Sequence, residues 1–288
     1  MQRQSSMWIL SVIIFLLIGT PVVYAEQHPE MDVHFIDVGQ GDSILVQTPS
    51  GKNILIDGGP PDAGKQVVAF LKEQDVKKLD LMIATHPDID HIGGLPDVMK
   101  SVEVDRIVDT GKIHSTRTYA RYISQVLKRQ IPIEIAERND LLKIDPRLKI
   151  RILNTHNGSQ TNNESSIVLK ITFKNMDFLL MSDVEKEQEK RLMKQHDLDA
   201  EILKVAHHGS HTSTSLEFLR EVSPNAAVLT YGKDNDFGHP VKRVMGNLQE
   251  VGTAVYPTAA FGDITIRTDG QGFIIFHEKN PLSSLHAG

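Results

Sequence analysis

Short apolar runs alternate with amphipathic stretches along nearly the whole chain, and the two periods predict strands and helices in turn. Residues 33–38, 43–48 and 53–57 read as three strands. The turn Gly39-Gln40-Gly41-Asp42 joins the first two, and Gly58-Gly59-Pro60-Pro61 closes the third. Val67, Val68, Phe70 and Leu71 share a helical face within 65–74. A strand at 79–85 runs straight into His86-Pro87-Asp88-Ile89-Asp90-His91, followed by Gly93-Gly94 and a helix over 95–101. The second half repeats the style, with helices expected at 118–129, 185–196, 213–222 and 240–251. Strands are expected at 131–136, 148–153, 166–173, 177–182, 202–206, 226–231, 253–256, 263–268 and 272–277. Strand-rich blocks with helices in both halves predict an α/β protein in which two sheets pack together under helices. The polar stretch 160–165 is too short for a domain linker, so residues 31–279 read as one domain.

The first 25 residues depart from this pattern. Arg3 precedes an apolar run from Trp8 to Ile18, and Val23-Tyr24-Ala25 offers small residues for a signal peptidase. The run is shorter than the roughly 20 residues a membrane span needs. A cleaved signal peptide over 1–25 and a secreted, extracytoplasmic protein are therefore expected, with no stable membrane association after cleavage. An uncleaved N-terminal anchor is the alternative.

Charge and cysteine content narrow the chemistry. The formal net charge is −6, with no basic tail, which speaks against a protein that coats nucleic acid through Lys and Arg. The chain has no cysteine, so disulfides, a thiol nucleophile and thiolate-bound zinc are excluded. Any metal must be held by His, Asp or Glu.

Four blocks meet that requirement. His86, Asp88, Asp90 and His91 crowd into six residues at the end of a strand, where Pro87 and Gly93-Gly94 favour a sharp turn. Phe178 to Ser182 deliver Asp183 in the same way, although an Asp capping the next helix explains that residue equally well. Leu203 to Ala206 lead into His207-His208-Gly209-Ser210, and neutral imidazole is the commonest nitrogen ligand for zinc-like metals. Adjacent strand residues point to opposite faces, so one of His207 and His208 is expected to bind. The loop Tyr231-Gly232 to Gly238-His239-Pro240 brings His239 either to a substrate or merely to the start of a helix. The remaining histidines read as surface or structural, with His211 close enough to the third block to support it.

Taken together, these blocks resemble the metallo-β-lactamase superfamily, and within it the hydrolase domain of ComEC-type competence proteins. Residues 35–43 and Ile56-Asp57-Gly58-Gly59 look like that group's opening, and residues 85–94 like its metal loop. Residues 163–166, Ser182-Asp183, 207–210 and Gly238-His239-Pro240 follow in the same order. The wider superfamily usually has His where Asp88 stands, and another His where this chain offers Asn162, Asn163 and Ser165; the ComEC-like group shares both departures. Ser182 stands where that group commonly has Gly.

The resemblance implies an αββα sandwich of two mixed β-sheets flanked by helices, and two divalent metal ions, Zn2+ or Mn2+. One would be held by His86 and Asp88, the other by Asp90, His91 and His207, with Asp183 bridging. Asp90, His208 and His239 would serve catalysis, His208 or His239 by steadying charge or protonating a leaving group. The implied activity is metal-dependent hydrolysis of phosphodiester bonds through a metal-bound hydroxide, with extracellular DNA or another phosphodiester as partner. Hydrolysis of another ester or a β-lactam, or a non-catalytic role in an envelope or DNA-uptake assembly, are the competing expectations.

Overall fold

The computed structural model describes residues 29–158 and 161–280, so the leader expected at 1–25 lies outside the described residues. Alternation along single strands sets the architecture. On Ile44–Gln47, Ile44 and Val46 enter one apolar layer and Leu45 another; Ile54 and Ile56 against Leu55, and Leu81 and Ile83 against Met82, repeat the division. On the far side, Phe178 and Leu180 join the same central layer while Leu179 and Met181 enter a third, as do Ala226 and Val228 against Ala227 and Leu229. Strands apolar on both faces need cover on both faces.

Among the described residues one sheet has eight strands, in spatial order Phe273–His277, Ile264–Thr268, Met31–Phe35, Ile44–Gln47, Asn53–Ile56, Leu81–Ala84, Ile107–Asp109 and Ile133–Ile135. The other has seven: Ala254–Pro257, Ala226–Leu229, Ile202–Lys204, Met176–Leu180, Val168–Phe173, Leu148–Asn154 and Leu141–Leu142. Both are mixed, antiparallel at one side and parallel at the other. Helices Gly64–Glu73, Leu95–Ser101 and Arg117–Arg129 cover the first sheet. Lys186–Gln195, Leu216–Val222 and Lys242–Glu250 cover the second. This is the αββα sandwich.

Several elements differ from the sequence expectation. The strand Ile107–Asp109 was not foreseen, because three apolar-rich residues between Arg106 and Thr110 give too little alternation to read. The pairing of Lys78–Leu79 with Glu103–Val104 and the short strand Leu141–Leu142 escaped for the same reason. The strand expected from 166 starts at Val168, since Asn163–Ser165 form a 3-10 turn. Among the described residues, no helix is long and apolar enough to cross a membrane.

Parallel pairing is what aligns the functional residues. Asn53–Ile56 runs parallel to Leu81–Ala84, so Asp57 and Thr85 leave the first sheet side by side. Met176–Leu180, Ile202–Lys204 and Ala226–Leu229 are likewise parallel, and release Asp183, the 206–209 turn and Thr230 at one edge of the second. The C-terminal ends of parallel strands are where α/β folds gather chemistry. Asp57, Ser182, His207 and His208 all have positive φ (58°, 48°, 49° and 54°) just past a strand. Four non-glycine residues held in the left-handed region at one place mark a site where geometry outweighs local strain.

Candidate metal centre

The loop after Leu81–Ala84 turns at once into the single helical turn Ile89–Ile92. Its return depends on close backbone approach: a Cβ on Gly94 would lie 2.0 Å from the Gly58 carbonyl oxygen, and one on Gly41 2.2 Å from that of Asp90. Only glycine fits such contacts. His86 and His91 thereby face inward and are buried, while Asp88 and Asp90 stay partly open to solvent.

Asp183 is the hub. Its Oδ2 lies 3.3 Å from His91 Nε2, 3.5 Å from His208 Nε2, 3.8 Å from His207 Nε2 and 3.9 Å from His86 Nε2. Asp90 Oδ2 is 3.3 Å from His208 Nε2 and 4.0 Å from His91 Nε2, and Asp88 Oδ2 is 3.6 Å from His86 Nε2. Asp183 does not cap the following helix: Glu185 does, in a reciprocal capping box with Gln188. That leaves the Asp183 carboxylate for the cluster.

The imidazoles are oriented from behind. His91 Nδ1 is 2.8 Å from Asp57 Oδ2, and Asp57 also accepts from the Thr85 amide and hydroxyl at 2.9 and 2.6 Å. His208 Nδ1 donates to the Thr230 carbonyl at 2.6 Å. His86 Nδ1 faces the hydroxyls of Thr85 and Ser182 at 3.1 and 3.3 Å. Each bond engages Nδ1 and turns Nε2 toward the cluster, the arrangement by which outer partners fix a ligating imidazole. Asn162 Nδ2 donates to Asp88, so the asparagine in the place of an expected histidine supports a carboxylate.

Behind this layer, Asp42 receives the Thr230 hydroxyl and pairs with the fully buried ammonium of Lys204. Its two carboxylate oxygens stand 3.6 Å from His208 Nδ1 and 3.9 Å from His91 Nδ1. Burial pushes the Asp42 carboxyl up, yet Lys204 and the two histidines hold it below the usual range. The same contest shapes the cluster: burial opposes charge, but Asp183, Asp57 and Asp90 raise His91 well above the ordinary imidazole value, and Asp183 raises His208. Burial likewise opposes charge on Asp183, and His208 and His91 bring it well below the carboxylate range. This is a place built to stabilise positive charge.

The residues fit a bound cation. His86 Nε2, His91 Nε2, His208 Nε2 and Asp183 Oδ1 are buried without a hydrogen-bond partner in the structure. Ligands roughly 2.0–2.2 Å from a tetrahedral ion stand about 3.3–3.6 Å apart, which is the spacing found around Asp183 and Asp90. Asp90, His91, Asp183 and His208 each offer a ligand atom within 4.8 Å of the others.

The geometry differs from the sequence expectation at the histidine pair. His208, assigned there to catalysis, joins the four-residue cluster, while His207, assigned there as ligand, faces Asp183 from its rim with Nδ1 3.2 Å from the Thr212 hydroxyl. The alternation argument does not apply, because the strand ends at Lys204 and both residues are left-handed, so both rings reach Asp183. His239 lies outside the cluster and before the helix Lys242–Glu250; its ring centroid is 5.7 Å from that of His207 and 6.4 Å from that of His208. Burial, and then His207 and His208, lower it to about 4. Asp42, Asp57, Thr85, Lys204 and Thr230 were not singled out from sequence as supports. The readable signals were Asp57 at a strand end and one lysine inside the apolar run 202–206.

A sandwich whose two sheets each deliver His and Asp to one seam defines a metallo-hydrolase architecture. The profile of the metallo-β-lactamase superfamily matches residues 36–233, and the chain belongs to that superfamily. Among curated proteins it is 32% identical to ComE operon protein 3 of Bacillus subtilis, over 96% of this chain and 36% of that protein. It is 28% identical to competence protein ComA of Neisseria gonorrhoeae, over 91% of this chain and 35% of that one. The chain thus spans about a third of the length of these relatives. Among solved structures, the metallo-β-lactamase fold protein YhfI of Bacillus subtilis superposes with a TM-score of 0.57 at 14% identity, covering 83% of this chain and all of that one. A metallo hydrolase from Ignicoccus hospitalis gives 0.52 at 16%, covering 87% of this chain and all of that one. These two show the shared fold.

Proposed function

We propose that this metallo-hydrolase cleaves phosphodiester bonds in nucleic acid, outside the cytoplasm, with two divalent cations. The observation that carries the reading is that His86 Nε2, His91 Nε2 and His208 Nε2, all buried without a hydrogen-bond partner, lie within 3.9 Å of Asp183 Oδ2. Each such atom costs about 1–3 kcal/mol if left unsatisfied, a penalty that ligation removes. His86 and Asp88 would hold one cation and Asp90, His91 and His208 the other, with Asp183 between them and His207 within reach. A donor set this rich in carboxylates suits manganese as well as zinc. Such a pair, when bound, supplies a nucleophilic water at neutral pH and Lewis-acid polarisation of a phosphoryl oxygen.

The chain's own groups do the positioning. Asp57 and the Thr230 carbonyl hold His91 and His208 in the tautomer that presents Nε2. His239, neutral at pH 7, can donate or accept one hydrogen bond at a substrate oxygen. Relatives named as competence proteins, and Recombination protein 2 of Haemophilus influenzae, direct the reading toward DNA.

The test is a substrate panel. Protein stripped of metal and reloaded with manganese or zinc should cleave DNA oligonucleotides and a nitrophenyl phosphodiester, and chelation should abolish both. Turnover of a chromogenic β-lactam or a carboxylic ester without phosphodiester cleavage would replace this reading. Metal uptake and DNA binding with no turnover on any substrate would favour a binding role. Fractionation of a bacterial host expressing all 288 residues should find the protein outside the cytoplasm.

A further inference from the structure

Phe237 is 68% exposed on the loop that carries His239, yet that loop is firmly held. The Asn235 carboxamide donates to the carbonyls of Gly232 and His239 at 2.7 and 2.8 Å, and accepts from the amides of Phe237 and His239 at 3.2 and 3.0 Å. One side chain thus pins both sides of the aromatic residue. A single exposed apolar residue is ordinary on a protein surface. What sets this one apart is its alignment with the metal centre. The Phe237 ring lies 5.7 Å from the His239 ring at an interplanar angle of 24°, and His239 lies 6.4 Å from His208 at 27°. Two stacked pairs, His208 with His239 and His239 with Phe237, thus step outward from a candidate ligand to solvent, and the outermost ring has no polar atom.

From this we infer that Phe237 is a stacking subsite for an unpaired nucleobase next to the scissile phosphate, so that single-stranded nucleic acid is the preferred substrate. The inference rests on the phosphodiesterase reading above and gives it a strand preference. A phenyl ring offers a π-face but no hydrogen bonds, so it accepts any base without reading its edge. A base inside a duplex already has both faces stacked, whereas a single strand or frayed end leaves one free. Two ring-to-ring steps separate Phe237 from His208, which limits the stacked base to a nucleotide beside the cleaved bond.

The test compares wild type, Phe237→Ala and Phe237→Trp, loaded with manganese, on a single-stranded oligodeoxynucleotide and on the same oligomer with one abasic nucleotide beside the sole cleavable linkage. Base stacking on an aromatic side chain predicts a rise in KM of about 5- to 150-fold for Phe237→Ala on the intact oligomer, with Phe237→Trp close to wild type. Wild type on the abasic oligomer should show a rise of the same size. The two losses should not add when combined, because both remove one contact. An unchanged KM for Phe237→Ala at wild-type metal content, or fully additive losses, overturns the subsite and leaves the phosphodiesterase reading intact. If wild type cleaves neither oligomer, both fall together.

Discussion

The Lys204–Asp42 pair offers the sharpest test of how the metal centre is supported. Lys204 ends the strand Ile202–Lys204 with no exposed surface, its ammonium paired with Asp42 and 3.5 Å from the Ser182 carbonyl. Lys204→Met keeps the length and apolar stem but strands the Asp42 carboxylate in the interior. Removing one partner of a buried pair costs about 3–5 kcal/mol, because the survivor keeps its desolvation penalty without compensation. For a domain of this size roughly 2–4 °C of Tm accompanies each kcal/mol, so the loss should be about 6–20 °C. Urea unfolding in chelator should report it as a lowered midpoint with an unchanged slope. Protonated His91 and His208 can partly replace the missing ammonium, so the loss should grow as pH rises past the ordinary imidazole range. Adding Asp42→Asn to Lys204→Met should recover part of the stability, since it removes the unpaired charge. A loss under about 1 kcal/mol at both pH 6 and pH 8.5 would refute the argument that the pair is needed as a pair.

Two further outcomes follow from the same geometry. Asp57→Asn replaces the carboxylate behind His91 Nδ1 with a weaker partner and should lower metal affinity about 10- to 100-fold, read by competition with a chromophoric chelator; affinity within a factor of two of wild type would remove Asp57 from the site. In metal-stripped protein, His91 and His208 titrate above the usual imidazole value despite burial, because Asp183 and its neighbours favour their protonated forms. The stability they contribute is therefore complete below about pH 6.5 and lost as pH rises through their folded values; unfolding in chelator between pH 5.5 and 9 that shows flat or rising stability would contradict this.

The layers of the fold were legible because most strands carry apolar residues on both faces and end on polar residues. The loop at 86–91 was legible because His and Asp are rarely so crowded after an apolar strand. What stayed hidden depended on contacts between distant segments. Asp183 and a helix cap look alike in sequence, and only Glu185 taking the cap frees it. That His207 and His208 both face Asp183 follows from their left-handed backbone, which no alternation rule supplies once a strand has ended. Asp42, Lys204 and Thr230 meet across nearly two hundred residues, so their association is a property of the assembled seam. Ile107–Asp109 was invisible because a strand buried by its neighbours needs little pattern of its own.

Met31–Phe35 is flanked on one side by Ile44–Gln47 and on the other by Ile264–Thr268, with Met31 opposite Thr268. During synthesis the first partner emerges almost at once and the second only much later. Until then one border of the nascent sheet keeps its amides and carbonyls bare, ready to recruit a foreign strand. Closure of this long-range register is slow for reasons of chain entropy. A truncation before Ile264 would therefore leave bare the border of Met31–Phe35 that Ile264–Thr268 otherwise covers.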